Sequence, residues 1–94
     1  MYASVIALKM KPGSKDEIMA LIDGMTDELR ELGCKRFEII EHDGDLYTTI
    51  VQYPSKDDWD AASAKAAELL GRLAQYAIEN PQRLGGDVIT SMDF

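Results

Sequence analysis

The sequence predicts one α+β domain in which a four-stranded antiparallel sheet carries two helices on a single face. Strand-like and helix-like runs alternate in the order β-α-β-β-α-β, and the 94 residues are enough for one such domain and too few for two. No apolar run approaches the roughly 18 residues that a membrane-spanning helix needs. The net charge of −7 argues against nucleic acid and against anionic membranes as partners.

The N-terminal third of the chain is predicted to form a strand and then an amphipathic helix. Tyr2–Met10 is apolar on both faces, which is typical of a strand that is covered on both sides. Pro12-Gly13 ends the strand, and Ser14 followed by Glu17 forms a capping-box pattern. Apolar residues then recur at helical spacing until Gly33, a typical stop signal. We therefore predict one helix in this segment.

The middle of the chain is predicted to form a β-hairpin. Cys34–His42 and Leu46–Tyr53 are rich in strand-forming residues and flank Asp43-Gly44, a dipeptide that favours a two-residue turn. A two-residue loop places Phe37 opposite Ile50 on one face of the sheet. A shift of one residue in this register would exchange the two faces of the hairpin.

A second helix and a last strand complete the predicted fold. The helix extends to Glu79 or Asn80, before a proline, and contains Gly71 as a bend or a break. We interpret Leu84-Gly85-Gly86 as a loop and Asp87–Phe94 as the fourth strand. This order, with both right-handed crossovers on the same side, predicts a ferredoxin-like α+β sandwich.

The predicted strands carry apolar residues on both faces, although the helices can cover only one. In the first strand, Ile6 and Val5 are apolar residues on opposite faces, and in the second strand Phe37 and Ile40 are the corresponding pair. An uncovered apolar sheet face of several hundred Å² is more than monomers usually expose. We therefore predict a homodimer that forms through this sheet face. The alternative is a monomer whose half-solvated sheet carries scattered apolar residues.

The small numbers of cysteine and histidine residues bear on the cellular compartment of the protein and on the metal sites it can form. Cys34 is the only cysteine, so it cannot form an internal disulfide, and the first residues lack the pattern of a signal peptide. We therefore expect a cytoplasmic protein. One cysteine and one histidine, His42, are too few for a zinc site built from those ligands, and no P-loop or GxGxxG motif occurs.

Three segments carry a resemblance to a known family. They are Val5–Gly13, which runs into a helix, Gly33–Glu38, and Thr49–Asp58, which enters the second helix. These segments resemble the strand–PG–helix start, the G-C-x-x-[YF]-E segment and the third strand of the antibiotic biosynthesis monooxygenase-like proteins, which are dimeric α+β barrels. The resemblance covers nearly the whole chain and implies a homodimer. Tyr53 stands where many members carry Trp, and Gln52 stands where they carry Glu.

The resemblance also implies a chemistry. Active members often oxidise phenols or hydroquinones with O2 and without metal or flavin, because the substrate anion is itself the electron donor. Such a protein supplies a dry pocket, a group that helps remove a proton, and a donor that holds the oxyanion. Haem degradation is not expected, because Ala62 and Arg72 lie near the positions of that branch's Trp and His, and the first strand has no Asn.

Seven residues are candidates for an oxygenase site. The catalytic candidates are Tyr53, Arg72 and His42, and the substrate-binding candidates are Tyr47, Trp59, Tyr76 and Arg36. Tyr53 and Trp59 flank the corner between the third strand and the second helix, where an opening between sheet and helix is expected. Arg72 and Tyr76 are four residues apart and share a helix face. His42 is the only imidazole in the chain.

Each candidate also has a purely structural interpretation. Trp59 can be a buried residue of the hydrophobic core, and the tyrosines can serve sheet packing, because Tyr favours strands. The arginines can be solvated or form ion pairs with the abundant carboxylates. His42 lies beside the predicted turn and can simply be exposed to solvent, and Cys34 can be a buried, unreactive thiol. Two further functions therefore stay open: a non-catalytic dimeric module that binds a small molecule or another protein, and a regulatory domain that binds an amino acid between subunits. A cavity of at least about 300 Å³ would favour ligand binding over a structural role.

Overall fold

A computed structural model describes residues 1–94 and confirms the ferredoxin-like α+β fold. The elements in chain order are β1 (Tyr2–Lys9), α1 (Lys15–Asp23), α2 (Thr26–Glu31), β2 (Arg36–Glu41), β3 (Leu46–Tyr53), α3 (Lys56–Leu73) and β4 (Gln82–Asp87). A 3-10 turn at Ala74–Tyr76 follows α3. The four strands form one sheet in the order β2-β3-β1-β4, and all neighbouring pairs are antiparallel.

Burial alternates along the two central strands, because the helices cover only one face of the sheet. In β1, the side chains of Ser4, Ile6 and Leu8 are buried, whereas Val5 and Ala7 between them are exposed. β3 follows the same period of two. The covered face holds two hydrophobic clusters, one around the end of β1 and one around the end of β3.

The first helix is broken, so the prediction of one continuous helix was wrong. α1 ends at Asp23, and α2 begins at Thr26, whose hydroxyl donates to the carbonyl oxygen of Asp23 at 2.8 Å. The break falls at Gly24, because glycine has a low helix propensity, and at Met25, whose side chain is buried in the core. Gly33 ends α2 with a φ of +79°, the left-handed conformation that glycine favours.

The hairpin register differs by one residue from the predicted one. His42 N–H donates to the Leu46 carbonyl at 2.8 Å, so the loop has three residues, with Asp45 at a φ of +62°. Phe37 therefore pairs with Val51 instead of Ile50. Because one residue of shift exchanges the faces, Phe37 lies on the helix-covered face and Ile50 on the open face.

The chain after α3 also differs from the prediction. α3 runs unbroken through Gly71 and ends at Leu73, instead of continuing to Glu79 or Asn80. Ala77 has extended dihedral angles and forms a β-bridge with Met10, because the end of β1 offers unpaired backbone groups there. Pairing with β1 thus competes successfully with a further helical turn.

The fourth strand lies earlier than predicted. β4 contains Leu84-Gly85-Gly86, the segment interpreted as a loop, whereas residues 88–94 have no regular secondary structure. Leu84 pairs with Val5 and Gly85 with Ser4 of β1. A Cβ atom at Gly85 would lie 2.8 Å from the ring of Tyr2, so the close approach of the strand to this ring requires glycine.

Candidate functional site

A small cavity lies between the sheet and the helices. Its volume is about 50 Å³, and it is lined mainly by apolar side chains of β1, β2, β3, α2 and α3. Tyr53 contributes the only aromatic hydroxyl. The other polar lining residues are Ser4, Thr49 and Arg83. The cavity is thus an apolar space with one cationic side chain in its wall.

Arg83 reaches the cavity from β4. Its pairing with Ile6 places it on the helix-covered face, where its Nε donates to the Ser4 hydroxyl at 3.1 Å. The guanidinium carbon lies 4.5 Å from the centre of the Trp59 ring, a cation–π distance. Its Nη2 is buried and has no hydrogen-bond partner. The side chain therefore has a buried nitrogen with two unpartnered N–H groups, in an environment where buried donors are normally satisfied.

Trp59 forms the platform for this guanidinium. It lies in the first turn of α3, which Ser55 caps by accepting a hydrogen bond from the Asp58 N–H at 3.2 Å. Its ring packs against Tyr2 with centroids 5.2 Å apart and an interplanar angle of 52°. Its indole Nε1 is also buried and without a partner. The two unpartnered buried donors thus belong to two side chains that stack on each other.

Tyr53 completes this group at the end of β3. Its side chain is 1% exposed, and burial raises the pKa of its phenol, while the nearby Arg83 guanidinium partly opposes that rise. The hydroxyl therefore stays protonated near neutral pH and is available as a donor. We call Ser4, Tyr53, Trp59 and Arg83 the Arg83 cluster.

Arg72, a predicted catalytic residue, lies in an ion-pair network away from the cavity wall. Its two terminal guanidinium nitrogens, Nη1 and Nη2, donate to Glu28 of α2 at 2.7 and 3.0 Å, and Nη2 also donates to Glu68 at 3.0 Å. Lys65 lies 2.8 Å from Glu28. The hydrogen bonds from Arg72 and then Lys65 lower the pKa of Glu28 from 4.5 to about 2. This network joins α2 to α3.

The remaining predicted residues are dispersed. Tyr47 is buried in the core cluster at the far end of β3, and its hydroxyl donates to Glu41 at 3.3 Å. Tyr76 packs against the same core cluster from the 3-10 turn. His42 is exposed with its Nε2 2.8 Å from the Thr48 hydroxyl, and Arg36 is exposed and paired with Glu38. Of the seven candidates, the structure thus brings Tyr53 and Trp59 together.

Sequence reasoning did not find Arg83. The glycine pair after it was interpreted as a loop, which left Arg83 outside the predicted sheet. Its partner Ile6 lies 77 positions earlier in the chain, and no local pattern connects the two. The one available signal was the alternation of side chains along a strand. If this segment is a strand, Arg83 and Leu84 point to opposite faces of the sheet.

A second, open groove of about 330 Å³ lies between α2 and β2. Leu29 and Phe37 line both this groove and the inner cavity, so these two side chains lie between the two spaces. Cys34 also lines the groove, and its thiol donates to the Leu29 carbonyl at 3.4 Å. Burial raises the pKa of this thiol, which makes it a poor nucleophile.

No group of three or more His, Cys, Asp and Glu side chains lies in an arrangement that could hold a metal ion. None of the helices combines the length and the apolar character that a membrane span requires.

Fold and site together define a small ferredoxin-like α+β protein whose candidate site lies between the sheet and the helices. The chain belongs to the antibiotic biosynthesis monooxygenase family, whose model matches residues 1–71. The matched region includes Ser4, Tyr53 and Trp59 and ends before β4, so Arg83 lies outside it. A comparison with curated protein sequences found no match.

Solved structures share the fold over nearly the whole chain. A crystal structure of an antibiotic biosynthesis monooxygenase has a TM-score of 0.75 and 14% identity, and the alignment covers 96% of this chain and 100% of that one. Rv0793 from Mycobacterium tuberculosis has a TM-score of 0.77 and 16% identity, with 98% of each chain covered. A protein of unknown function from Nitrosomonas europaea has a TM-score of 0.77 and 13% identity, and the alignment covers 97% of this chain and 91% of that one. At these identities the likeness establishes the fold alone.

Proposed function

We propose that this chain is a cofactor-independent monooxygenase that acts on a small aromatic or quinol-type compound between the sheet and the helices. Family membership supports the reaction class. The observation that carries the proposal is the apolar cavity whose wall contains a free guanidinium donor and a protonated phenol. The proposed location is the cytoplasm.

The proposed reaction uses the substrate as the reductant. Loss of one proton from a ring hydroxyl gives an anion whose negative charge is delocalised onto a ring carbon that bears a hydrogen, and this anion transfers an electron to O2. The resulting radicals combine to form a carbon–oxygen bond. Protonation gives a hydroperoxide, which loses water to leave a carbonyl, so one oxygen atom enters the product and the other leaves as water. The protein contributes exclusion of water, orientation and donors for the oxyanion.

Ligand entry requires α2 to move, because about 50 Å³ is far below the roughly 300 Å³ of typical ligand pockets. α2 has no fully buried residue, and it lies between the break at Gly24 and the left-handed Gly33. Separation of Leu29 from Phe37 would join the cavity to the outer groove of about 330 Å³. The combined space is large enough for an aromatic ring system.

O2 consumption with a panel of hydroquinones, corrected for autoxidation in protein-free buffer, tests this function. We expect uptake above the background with at least one two-ring hydroquinone. Tyr53→Phe should lower that rate at least tenfold, because it removes one donor from the site. Thr90→Ala removes a hydroxyl from an exposed position outside the site and should leave the rate unchanged. Absence of uptake with every compound would overturn the oxygenase proposal.

We propose that the protein is a homodimer through the open face of the sheet. Leu84, Val5 and Ile50 are neighbours across β4, β1 and β3 on this face, where Val5 is 41% and Leu84 is 72% exposed. Ile40 of β2 adds a further exposed apolar side chain on the same face. A second copy of the same face is the partner that the matching apolar character favours.

A non-catalytic dimeric module is the second candidate function. The small volume of the closed cavity favours it, because the core packs well without a ligand. Calorimetric titration with the same hydroquinones, under anaerobic conditions, separates the two. Binding without O2 uptake indicates a binding module, and absence of both indicates a structural role.

A further inference from the structure

We infer that Arg83, seated on Trp59, is an anion-binding subsite, and that the ligand of the cavity carries a negatively charged oxygen on a planar aromatic ring. This inference rests on the proposed function in placing the ligand in the cavity. It adds the residue that binds the oxyanion of the ligand, and that residue lies outside the matched part of the family model.

Arg83 differs from the other arginines in lacking a carboxylate. Arg30 pairs with Asp27, Arg36 with Glu38, and Arg72 with Glu28 and Glu68. The chain has 17 acidic residues and a net charge of −7, so carboxylates are abundant. The one arginine that is directed into the apolar cavity is nevertheless the one without an anionic partner. A partly buried cation without a counterion is costly, so an anion from outside is the natural complement.

The orientation of the free donor is fixed by its neighbours. Nε donates to the Ser4 hydroxyl at 3.1 Å, and the guanidinium carbon lies over the indole ring of Trp59, 4.5 Å from its centre. Of the two terminal nitrogens, Nη2 is the one that is buried without a hydrogen-bond partner. A guanidinium held in this way loses little further conformational freedom when it binds an acceptor.

A second free donor lies beside the first. The indole Nε1 of Trp59 is the other buried side-chain donor in the structure without a partner. The protonated hydroxyl of Tyr53 is close enough to Arg83 for the guanidinium to influence the titration of the phenol. The Arg83 cluster is therefore rich in donors, and its acceptors are the hydroxyl oxygens of Ser4 and Tyr53. Such a set favours an oxyanion over a cation or an apolar group.

The shape of the cavity selects the remainder of the ligand. Its walls are leucine, methionine, phenylalanine and other apolar side chains, contributed by both layers of the sandwich. A flat aromatic ring fits between a sheet and a helix layer and brings no polar group that these walls cannot satisfy. The ligand is thus an aromatic oxyanion. Its negatively charged oxygen belongs to an enolate or phenolate in one class of compound and to a carboxylate in the other.

Calorimetric titration of the full chain at pH 7 with two charged and two neutral probes tests this inference. The charged probes are 2-naphthoate, a carboxylate, and 2-hydroxy-1,4-naphthoquinone, which is ionised as an enolate. Their neutral counterparts are 2-naphthamide and 2-methoxy-1,4-naphthoquinone. We expect at least one charged probe to bind at least tenfold more tightly than its counterpart, and the stronger of the two identifies the oxyanion class.

Three variants separate the subsite from general electrostatics. Arg83→Gln should abolish the charge preference, and Arg83→Lys should retain part of it. Lys56→Gln removes the same unit of charge from an exposed position near the start of α3 and should leave the preference unchanged. Dispersed amide spectra of each variant show that it is folded.

Trp59 gives a second readout, because it is the only tryptophan and yields a single indole N–H resonance. The charged probe should shift this resonance in the native protein and not in Arg83→Gln. Equal affinities for charged and neutral probes, a preference that survives in Arg83→Gln, or absence of binding by all four probes would overturn the inference. Charge-selective binding of these probes, combined with no O2 uptake for any hydroquinone of the panel, would overturn the oxygenase proposal and leave the subsite supported.

Discussion

Glu28 of α2 accepts hydrogen bonds from both terminal nitrogens of Arg72 of α3, at 2.7 and 3.0 Å, across 44 positions of sequence. Because α2 has no fully buried residue, this bidentate pair is a principal connection between the short helix and the rest of the fold. It restrains the helix that separates the inner cavity from the outer groove.

The ion pair between Glu28 and Arg72 makes the stability of the folded protein depend on pH in the acidic range. Its folded-state pKa is lowered to about 2 from 4.5, so its stabilisation is complete above pH 4.5 and is lost as the pH falls towards 2. Glu28→Gln should therefore lower the melting temperature at pH 7 by a few degrees, and the difference from the native protein should vanish near pH 2. Circular dichroism melts at several pH values measure this, with the exposed Glu31→Gln as the control that shows no such dependence.

Gly85 is predicted to be intolerant of a side chain, unlike its neighbour. A Cβ at Gly85 would lie 2.8 Å from Tyr2 and 3.1 Å from Trp59, whereas a Cβ at Gly86 would meet nothing within 4 Å. Gly85→Ala should lower the free energy of unfolding by about 1–3 kcal/mol and alter the fluorescence of Trp59. Gly86→Ala should change neither. Urea denaturation of both variants makes the comparison, and equal stabilities would contradict the aromatic packing described above.

The dimer proposal predicts that a charge on the open sheet face separates the subunits. Val5 lies between Leu84 and Ile50 at the centre of this face. The native protein should sediment at micromolar concentration with twice the 10.5 kDa mass of the chain, and Val5→Glu should sediment as the single chain. Ala20→Glu places the same charge on an exposed position of α1 and should remain dimeric. A native protein that sediments as a monomer refutes the proposal.

Leu29 is predicted to control ligand entry. It lines both the inner cavity and the outer groove, whereas Leu32 lines the cavity alone. Leu29→Ala should raise the association rate constant of 2-naphthoate several-fold, because the barrier between the two spaces becomes smaller. Leu32→Ala enlarges the cavity without opening that route and should leave the rate constant nearly unchanged. Stopped-flow fluorescence measures both, and equal rate constants in the two variants would exclude entry beside α2.

Elements that depend on local sequence were predictable, and those that depend on distant contacts were not. β1 and β3 follow from their runs of apolar and strand-forming residues, and Tyr53 and Trp59 were found together because they flank one corner of the chain. The hairpin register was missed because a three-residue loop needs Asp45 in a left-handed conformation, which the Asp43-Gly44 signal does not indicate. β4 was missed because Gly85 meets aromatic rings that only the folded chain brings near.

β4 lies at the edge of the sheet and pairs with β1 alone. Arg83, which gives the cavity its positive charge, therefore lies on an edge strand that takes no part in the pairing of β1 with β3 or of β3 with β2. On the proposed role of Arg83, exchange of this one residue would change the charge that the cavity presents to a ligand, while the three strands that form the rest of its sheet wall stay as they are.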